Sequence, residues 1–200
     1  ARWWMHNGLL TMGDGHKMGK SEGNAFSIHD LLEQYPSEAI RLYYLDTHYR
    51  SPLPWTPQAL DEALAKLARL YEAREVAEQM GGEEIPDVVA EALGADALTV
   101  LSLSRDFAAN FEACLSDDFN TAGALGLAFE LCRAVNRMSN HKKARKRGGP
   151  IAALALAALE RVTEHLGLLQ MSTTDFHSEV SAKRLPAMGL TVEDVDGMLQ

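Results

Sequence analysis

Two lysines three residues apart lie between glycines in the stretch HKMGKSEGN, and their side chains could bind phosphate. The ammonium groups of Lys17 and Lys20 are compact charges on flexible stems, which can hold phosphate oxygens without fixed planar geometry. Gly19 and Gly23 permit backbone torsions that other residues resist, so the segment could close on a ligand and reopen. Ser21 adds a hydroxyl that can donate a hydrogen bond. The segment predicts a cationic phosphate clamp, although its spacing is not the G-x-x-x-x-G-K-S/T of a Walker loop.

The five residues KMGKS resemble the KMSKS signature of the class I aminoacyl-tRNA synthetases. Three further motifs, in matching order and separation, resemble the C-terminal half of the cysteinyl-tRNA synthetase family; they are WMHNG at residues 4–8, HYRSP at 48–52 and DDFNT at 117–121. The resemblance covers most of residues 2–169. Gly19 stands where the common motif has serine, which removes one hydroxyl and keeps both lysines.

The resemblance implies an ATP-dependent ligase that joins cysteine to tRNA(Cys) in two steps through cysteinyl-adenylate. In that family Lys20 would neutralise charge on the leaving pyrophosphate, Lys17 would assist, and Ser21 would contact the nucleotide. The family's H-I-G-H nucleotide motif and its zinc ligands would lie outside this chain. No residue here is therefore assigned to a metal, and the 200-residue chain by itself is expected to be inactive.

Two other functions stay open. One is a related ATP-dependent ligase that passes activated cysteine to an amino sugar. The other is a non-catalytic helical module that binds RNA or a partner protein. The lysine segment counts against the module, and the helical regions suited to tRNA count against the amino-sugar ligase.

Composition limits the possible partners and compartments. The chain has 200 residues, 46% of them hydrophobic, which is enough to fill a core, and a formal net charge of −9. That charge argues against a generally basic surface but does not exclude a local basic patch. No apolar run approaches the roughly 20 residues of a membrane span. The two cysteines, Cys114 and Cys132, are predicted to be buried reduced thiols, which favours a cytoplasmic protein. The protein is also expected to be a monomer.

The first four residues, ARWW, contain neither an initiator methionine nor a signal-peptide pattern. This start is expected to be a cut inside a longer protein.

The sequence predicts a mainly α-helical fold in which a short β element carries the lysine segment. A helical stem-contact region and an antiparallel helix bundle would follow. The resemblance implies three domains: the end of a catalytic domain at residues 1–55, a tRNA-binding bundle of the DALR type at 56–170, and a linker with the start of a C-terminal segment at 171–200. A strand is predicted over residues 3–12, ending at the turn signal Gly13-Asp14-Gly15.

Helix starts are predicted from capping residues, prolines and apolar periodicity. The predicted helices begin after Ser27, after Ser37 (running to about His48), after Thr56-Pro57 (to about Met80), at residues 87 and 96, after Asn120 or Thr121, at Pro150, and at Thr191. The segments 51–54 and 171–182 are predicted to be linkers, because the first is rich in proline and the second is polar.

Four groups have two interpretations each. His6 is a strand histidine or lies near a nucleotide. Arg41 and Arg50 contact tRNA phosphates or form ion pairs. Asp117 and Asp118 serve a metal or acid function, or lie beside a helix cap, which the sequence favours. The segment 142–147 holds five cations in six residues and is a solvated, mobile connection or a tRNA-backbone contact.

Overall fold

The computed structural model describes residues 2, 4–13, 18, 19, 27–56, 58–191 and 194. The chain divides into two compact units, of which the first comprises residues 1–67 together with 171–200. The second unit comprises residues 68–170. The described part is mainly helical and contains a two-stranded parallel sheet, which confirms the predicted fold class.

The sheet of the first unit joins two short strands that are distant in sequence. Strand β1 (Leu10–Met12) pairs in parallel with β2 (Leu53–Trp55), with Leu10 opposite Leu53 and Met12 opposite Trp55. The predicted strand over residues 3–12 is therefore much shorter, because only its last three residues have a partner strand.

Strand β2 lies partly in a segment that was predicted to be an extended linker, and that prediction is wrong. Leu53 donates its backbone N–H to the Leu9 carbonyl at 2.9 Å. Pro52 and Pro54 flank Leu53, and in a parallel pair alternate residues direct their backbone groups away from the neighbouring strand. The two prolines thus lack an N–H only where this ladder does not use one, which suits an edge strand.

Helices α1 (Ile28–Gln34) and α2 (Ser37–Leu45) follow the lysine segment. Ser27 caps α1 as predicted, since its side chain accepts the backbone N–H of His29 at 3.2 Å. The cap of α2 is Pro36, so the predicted Ser37 cap is wrong and Ser37 is the first helical residue. Helix α2 ends at Leu45, three residues earlier than predicted.

Helix α3 (Ala59–Glu78) contains the boundary between the two units and confirms the predicted helix. Pro57, part of its predicted start signal, is outside the described residues. Within the first unit, Leu60, Ala63 and Leu67 are buried.

The predicted linker at residues 171–182 is instead part of helix α9 (Thr173–Ala187). The Ser172 side chain caps this helix by accepting the Asp175 N–H at 3.1 Å. Arg184 donates to Asp61 at 2.6 Å and its guanidinium lies 4.2 Å from the centre of the Tyr35 ring. The sequence hides this helix because Thr173 and Phe176 are its buried residues, so no long apolar stripe at helical spacing marks it.

The second unit is helical throughout its described elements. They are α4 (Pro86–Leu93), α5 (Ala95–Ser116), α6 (Thr121–Ser139), α7 (Lys142–Arg147) and α8 (Gly149–Leu166). All but α7 were predicted. Apolar side chains of these helices form the core of the unit; fully buried examples are Val100, Phe111, Leu125, Leu131, Ile151 and Val162. The rings of Phe107 and Phe111 stack with their centroids 5.5 Å apart.

The two cysteines are both free thiols, but they differ in burial. Cys132 is 3% exposed, and burial raises the pKa of its thiol to about 12. Cys114 is only half-buried, so the prediction of a buried core thiol is right for Cys132 and wrong for Cys114. Cys114 lies on α5 close to the exposed end of that helix.

Candidate functional site

The lysine segment is attached to the first strand through its central residues. Lys17, Lys20 and Ser21 lie outside the described residues. Met18 and Gly19 are described and half-buried, and Met18 donates its backbone N–H to the Leu10 carbonyl at 3.1 Å. A backbone hydrogen bond therefore joins the centre of the KMGKS motif to the first residue of β1.

The WMHNG and HYRSP motifs meet at one backbone crossing. Gly8 donates its N–H to the Tyr49 carbonyl at 2.7 Å. A Cβ on Gly8 would lie 2.0 Å from the Ser51 carbonyl oxygen, so a side chain has no room at this crossing. Three of the four motifs singled out in the sequence thus converge on β1 and β2.

His6 of the WMHNG motif lies outside β1 and is exposed. The prediction of a strand histidine is wrong, because the strand begins four residues later at Leu10. Large apolar side chains beside it are also exposed: Trp4 is 76%, Met5 57% and Leu9 58% accessible. Exposed apolar surface beside a two-stranded parallel sheet is unusual, since parallel sheets are ordinarily covered on both faces.

The HYRSP motif is a tight, aromatic turn. Ser51 donates its N–H to the His48 carbonyl at 2.8 Å, and the rings of His48 and Tyr49 lie 5.0 Å apart. The Arg50 guanidinium is 5.2 Å from the centre of the Tyr49 ring, in a cation–π arrangement. Both Arg50 and Arg41 are exposed, and their contact with tRNA phosphates stays a prediction.

A polar cavity of about 270 Å³ lies beside β2 in the first unit. Lys66 forms an ion pair with Asp46 in its wall, and the Tyr43 hydroxyl donates to the Pro54 carbonyl at 3.0 Å. Burial raises the pKa of Tyr43 to about 12, so its hydroxyl stays a neutral donor. The sequence analysis missed this cavity because Asp46 and Lys66 are 20 residues apart, on separate elements.

The DDFNT motif forms the turn between α5 and α6. Asn120 caps α6, with its side-chain oxygen accepting the Gly123 N–H at 2.8 Å, which confirms the predicted capping role. Asp118 and Phe119 have left-handed backbone torsions, with φ of 52° and 55°. Two successive residues in this region reverse the chain direction, and non-glycine residues adopt it at a cost. The motif shapes a helix junction in the second unit.

Metal binding has no candidate in the described part of the chain. No group of three or more His, Cys, Asp or Glu side chains there is arranged to hold a metal ion. The described residues therefore offer no set of side chains that could hold the zinc ion of the resembled family.

Over the described ranges, every helix is too short or too polar to cross a bilayer.

Comparisons with known proteins match two parts of the chain to family models. Residues 1–65 match the class I (C) tRNA synthetase catalytic domain, and residues 110–170 match the DALR domain. The chain is 31% identical to a cysteine–tRNA ligase of Geotalea uraniireducens, covering all of this chain and 41% of that protein. It is 32% identical to the enzyme of that name from Geobacter sulfurreducens, again over the whole chain and 40% of the relative.

A third cysteine–tRNA ligase, from Acidovorax ebreus, is 38% identical over 88% of this chain and 32% of its own length. The chain therefore spans less than half the length of each of these curated relatives.

Proposed function

Because the chain belongs to the class I aminoacyl-tRNA synthetases, we propose that the full-length protein containing it is a cysteine–tRNA ligase. One observation carries this proposal: three sequence motifs converge on β1 and β2 within the region that matches the catalytic-domain model. Its substrates would be ATP, cysteine and tRNA(Cys). A helical module without catalysis has no need for a lysine motif fastened to a strand.

The reaction would proceed in two steps. The cysteine carboxylate attacks the α-phosphorus of ATP, which forms cysteinyl-adenylate and releases pyrophosphate. A terminal ribose hydroxyl of tRNA(Cys) then attacks the activated carbonyl, which forms the ester and releases AMP. The first step requires positioning of the phosphates and neutralisation of their charge more than covalent help from the protein.

Lys20 would supply the main cation for the leaving pyrophosphate in the first step. Lys17 would hold the segment and the phosphates together, and Ser21 would donate a hydrogen bond to the nucleotide. The bond from Met18 to Leu10 supports this assignment, because it places the residue after Lys17 beside β1.

The exposed apolar side chains around β1 support a larger catalytic domain. Trp4, Met5 and Leu9 are more than half exposed, beside a two-stranded sheet with few residues. Further sheet and helix from the remainder of the catalytic domain would cover them. The nucleotide and cysteine sites would be completed there, and the zinc ligands would lie there too.

The remaining parts would serve tRNA. In this proposal residues 1–55 contain the end of the catalytic domain and the stem-contact region, residues 56–170 form the tRNA-binding bundle, and residues 171–200 lead into a C-terminal segment. The protein would act as a monomer in the cytoplasm.

Cysteine-dependent exchange between ATP and pyrophosphate tests the first step. The full-length protein should catalyse exchange with cysteine and not with serine, whereas the 200-residue chain should give none. Robust exchange by the 200-residue chain would contradict the proposed division of the site. Transfer of labelled cysteine to tRNA(Cys), compared with transfer to an amino sugar, then decides the acceptor.

A further inference from the structure

The strongly basic segment at residues 142–147 is a fixed helix rather than a mobile connection, so that prediction is wrong. Arg147 forms a bidentate ion pair with Glu84, with Nε–Oε1 and Nη2–Oε2 distances of 2.7 and 2.6 Å. The Arg147 guanidinium holds the pKa of Glu84 below its ordinary value. Arg145 donates from Nε to the Ser139 carbonyl at 2.8 Å. Two of the five cations therefore hold the helix in place.

The backbone of α7 and of the first residue of α8 is also joined to the α3–α4 connection. Gly81 donates its N–H to the Arg145 carbonyl at 3.0 Å, and Gly149 donates to the Gly81 carbonyl at 2.8 Å. Gly82 has a φ of 118°, and a Cβ there would lie 2.8 Å from the Arg147 carbonyl oxygen. Glycine is required at this approach, which fixes the position of α7 within the second unit.

The other three cations, Lys142, Lys143 and Lys146, are exposed. Lys142 and Lys143 border an open cavity of about 390 Å³, lined also by Ala92, Leu93, Asn140 and His141. A carboxylate in this region, Asp96, already has cationic partners, since His141 lies 3.0 Å and Arg137 3.8 Å from its oxygens. The helix thus presents three lysines to solvent on a chain whose formal net charge is −9.

We infer that α7 is a contact site for the phosphate backbone of tRNA, in which the arginines fix the helix and the lysines bind phosphate. The inference rests on the proposed function, which supplies the tRNA. Flexible ammonium groups can bind phosphate oxygens without requiring a fixed planar geometry. Such contacts set the position of the RNA and do not read its sequence. The rigid attachment of α7 lowers the entropy that is lost when the lysines meet the RNA.

The test compares RNA binding by four forms of the 200-residue chain, the wild-type and three variants, at several salt concentrations. In one variant Lys142, Lys143 and Lys146 are all changed to Gln. The matched control loses the same charge elsewhere, through Arg69→Gln, Arg133→Gln and Arg161→Gln. A Lys→Arg variant at the three lysine positions keeps the charge. Far-ultraviolet circular dichroism checks that every form keeps its helices.

Each lost phosphate contact should reduce the slope of log affinity against log salt by about 0.7 to 0.9. For three lysines the slope should flatten by about 2.1 to 2.7, and the control and the Lys→Arg variant should keep the wild-type slope. Between 50 and 200 mM salt, the wild-type should therefore lose about 20- to 40-fold more affinity than the Gln variant.

An unchanged slope in the Gln variant, or equal flattening in the control, would overturn the inference. Displacement of the RNA by polyglutamate at equal charge concentration would also overturn it, in favour of an acidic protein partner. Cysteine-dependent pyrophosphate exchange by the full-length protein needs no tRNA and should be the same in the wild-type and all variants. Absence of exchange in the wild-type would contradict the proposed enzyme, while the salt slopes would still decide the role of α7.

Discussion

Gly8 and Tyr49 are 41 residues apart, and their backbones are joined by a 2.7 Å hydrogen bond from the Gly8 N–H to the Tyr49 carbonyl. The contact brings the segment before β1 against the turn before β2. It also leaves no space for a side chain at position 8, where a Cβ would meet the Ser51 oxygen at 2.0 Å. The conformation of the first unit therefore depends on a glycine that contributes no side-chain contact.

Gly8→Ala should destabilise the first unit by about 1–3 kcal/mol, because the new methyl group forces the two segments apart. Gly126→Ala is the matched control, since a Cβ there meets nothing within 4 Å on helix α6. That control should be stabilising by roughly 0.5–1 kcal/mol, the usual helix preference for alanine over glycine. Thermal melting of both variants measures the difference. If the Gly8→Ala and Gly126→Ala variants melted at the same temperature, the backbone crossing at Gly8 would accommodate a side chain without loss of stability.

Lys20→Ala in the full-length protein should slow adenylate formation by roughly 10²–10³-fold, equivalent to about 3–4 kcal/mol. In the proposed mechanism the charge that Lys20 would meet develops mainly in the transition state, so cysteine affinity should change little. Lys17→Ala should have a smaller effect. Single-turnover adenylate formation, with ATP and cysteine varied separately, measures both. A change confined to the apparent cysteine affinity would contradict the role of the segment as a phosphate clamp.

Cys132 should make stability depend on pH in the alkaline range. Burial raises the pKa of its folded-state thiol to about 12 from an ordinary value of 9.0. Below pH 9 the thiol is protonated in both the folded and the unfolded state, so its ionisation does not affect the free energy of unfolding. Above pH 9 the thiol ionises in the unfolded state first, which favours unfolding. The free energy of unfolding should fall by up to about 1.4 kcal/mol per pH unit until the pH passes the folded-state pKa.

Urea unfolding at pH 8 to 10.5 measures this dependence as the difference between the wild-type and Cys132→Ala. Cys114→Ala keeps the buried thiol and should follow the wild-type slope. If all three proteins lose stability in parallel, ionisation of the Cys132 thiol makes no contribution.

Arg184→Gln should loosen α9 from the first unit. The Arg184 side chain is 17% exposed, whereas its partner Asp61 is 50% exposed, so the loss should be about 1 kcal/mol. Amide exchange within α9 should accelerate about fivefold as the helix opens more often. Arg161→Gln, which removes a surface pair with Glu164, is the control and should leave α9 unchanged. Exchange that is unaffected by Arg184→Gln would show that other contacts hold the helix.

Local signals in the sequence predicted most of the helices. Ser27 and Asn120 cap helices as expected, because their side-chain oxygens accept backbone N–H groups within three residues. Pro150 lies in the first turn of α8, where its missing N–H costs nothing. These features depend on neighbours in sequence, which a single sequence records directly.

Other elements depend on partners far away in the chain, and the sequence did not predict them. Strand β2 needs Leu9 as its acceptor, α7 needs Glu84, and α9 needs Asp61. Without these distant partners, the proline-rich segment of β2, the basic segment of α7 and the polar segment of α9 each favour the prediction of a linker. Residue types and spacing were enough to single out the lysine motif, and the resemblance to the synthetases added the roles of its side chains. The polar cavity beside β2 became visible only once its helices were placed.

Because α9 belongs to the first unit, the two units cannot finish folding in the order in which they begin to be synthesised. Lys183 donates to the Tyr35 carbonyl at 3.3 Å across 148 residues of chain, so this contact forms only after the entire intervening second unit has been translated. The second unit, continuous from residue 68 to 170, is complete on the ribosome before the first unit acquires α9. Contacts of such long range close slowly. The inserted helical unit is therefore the first of the two that can finish folding, although it starts later in the chain.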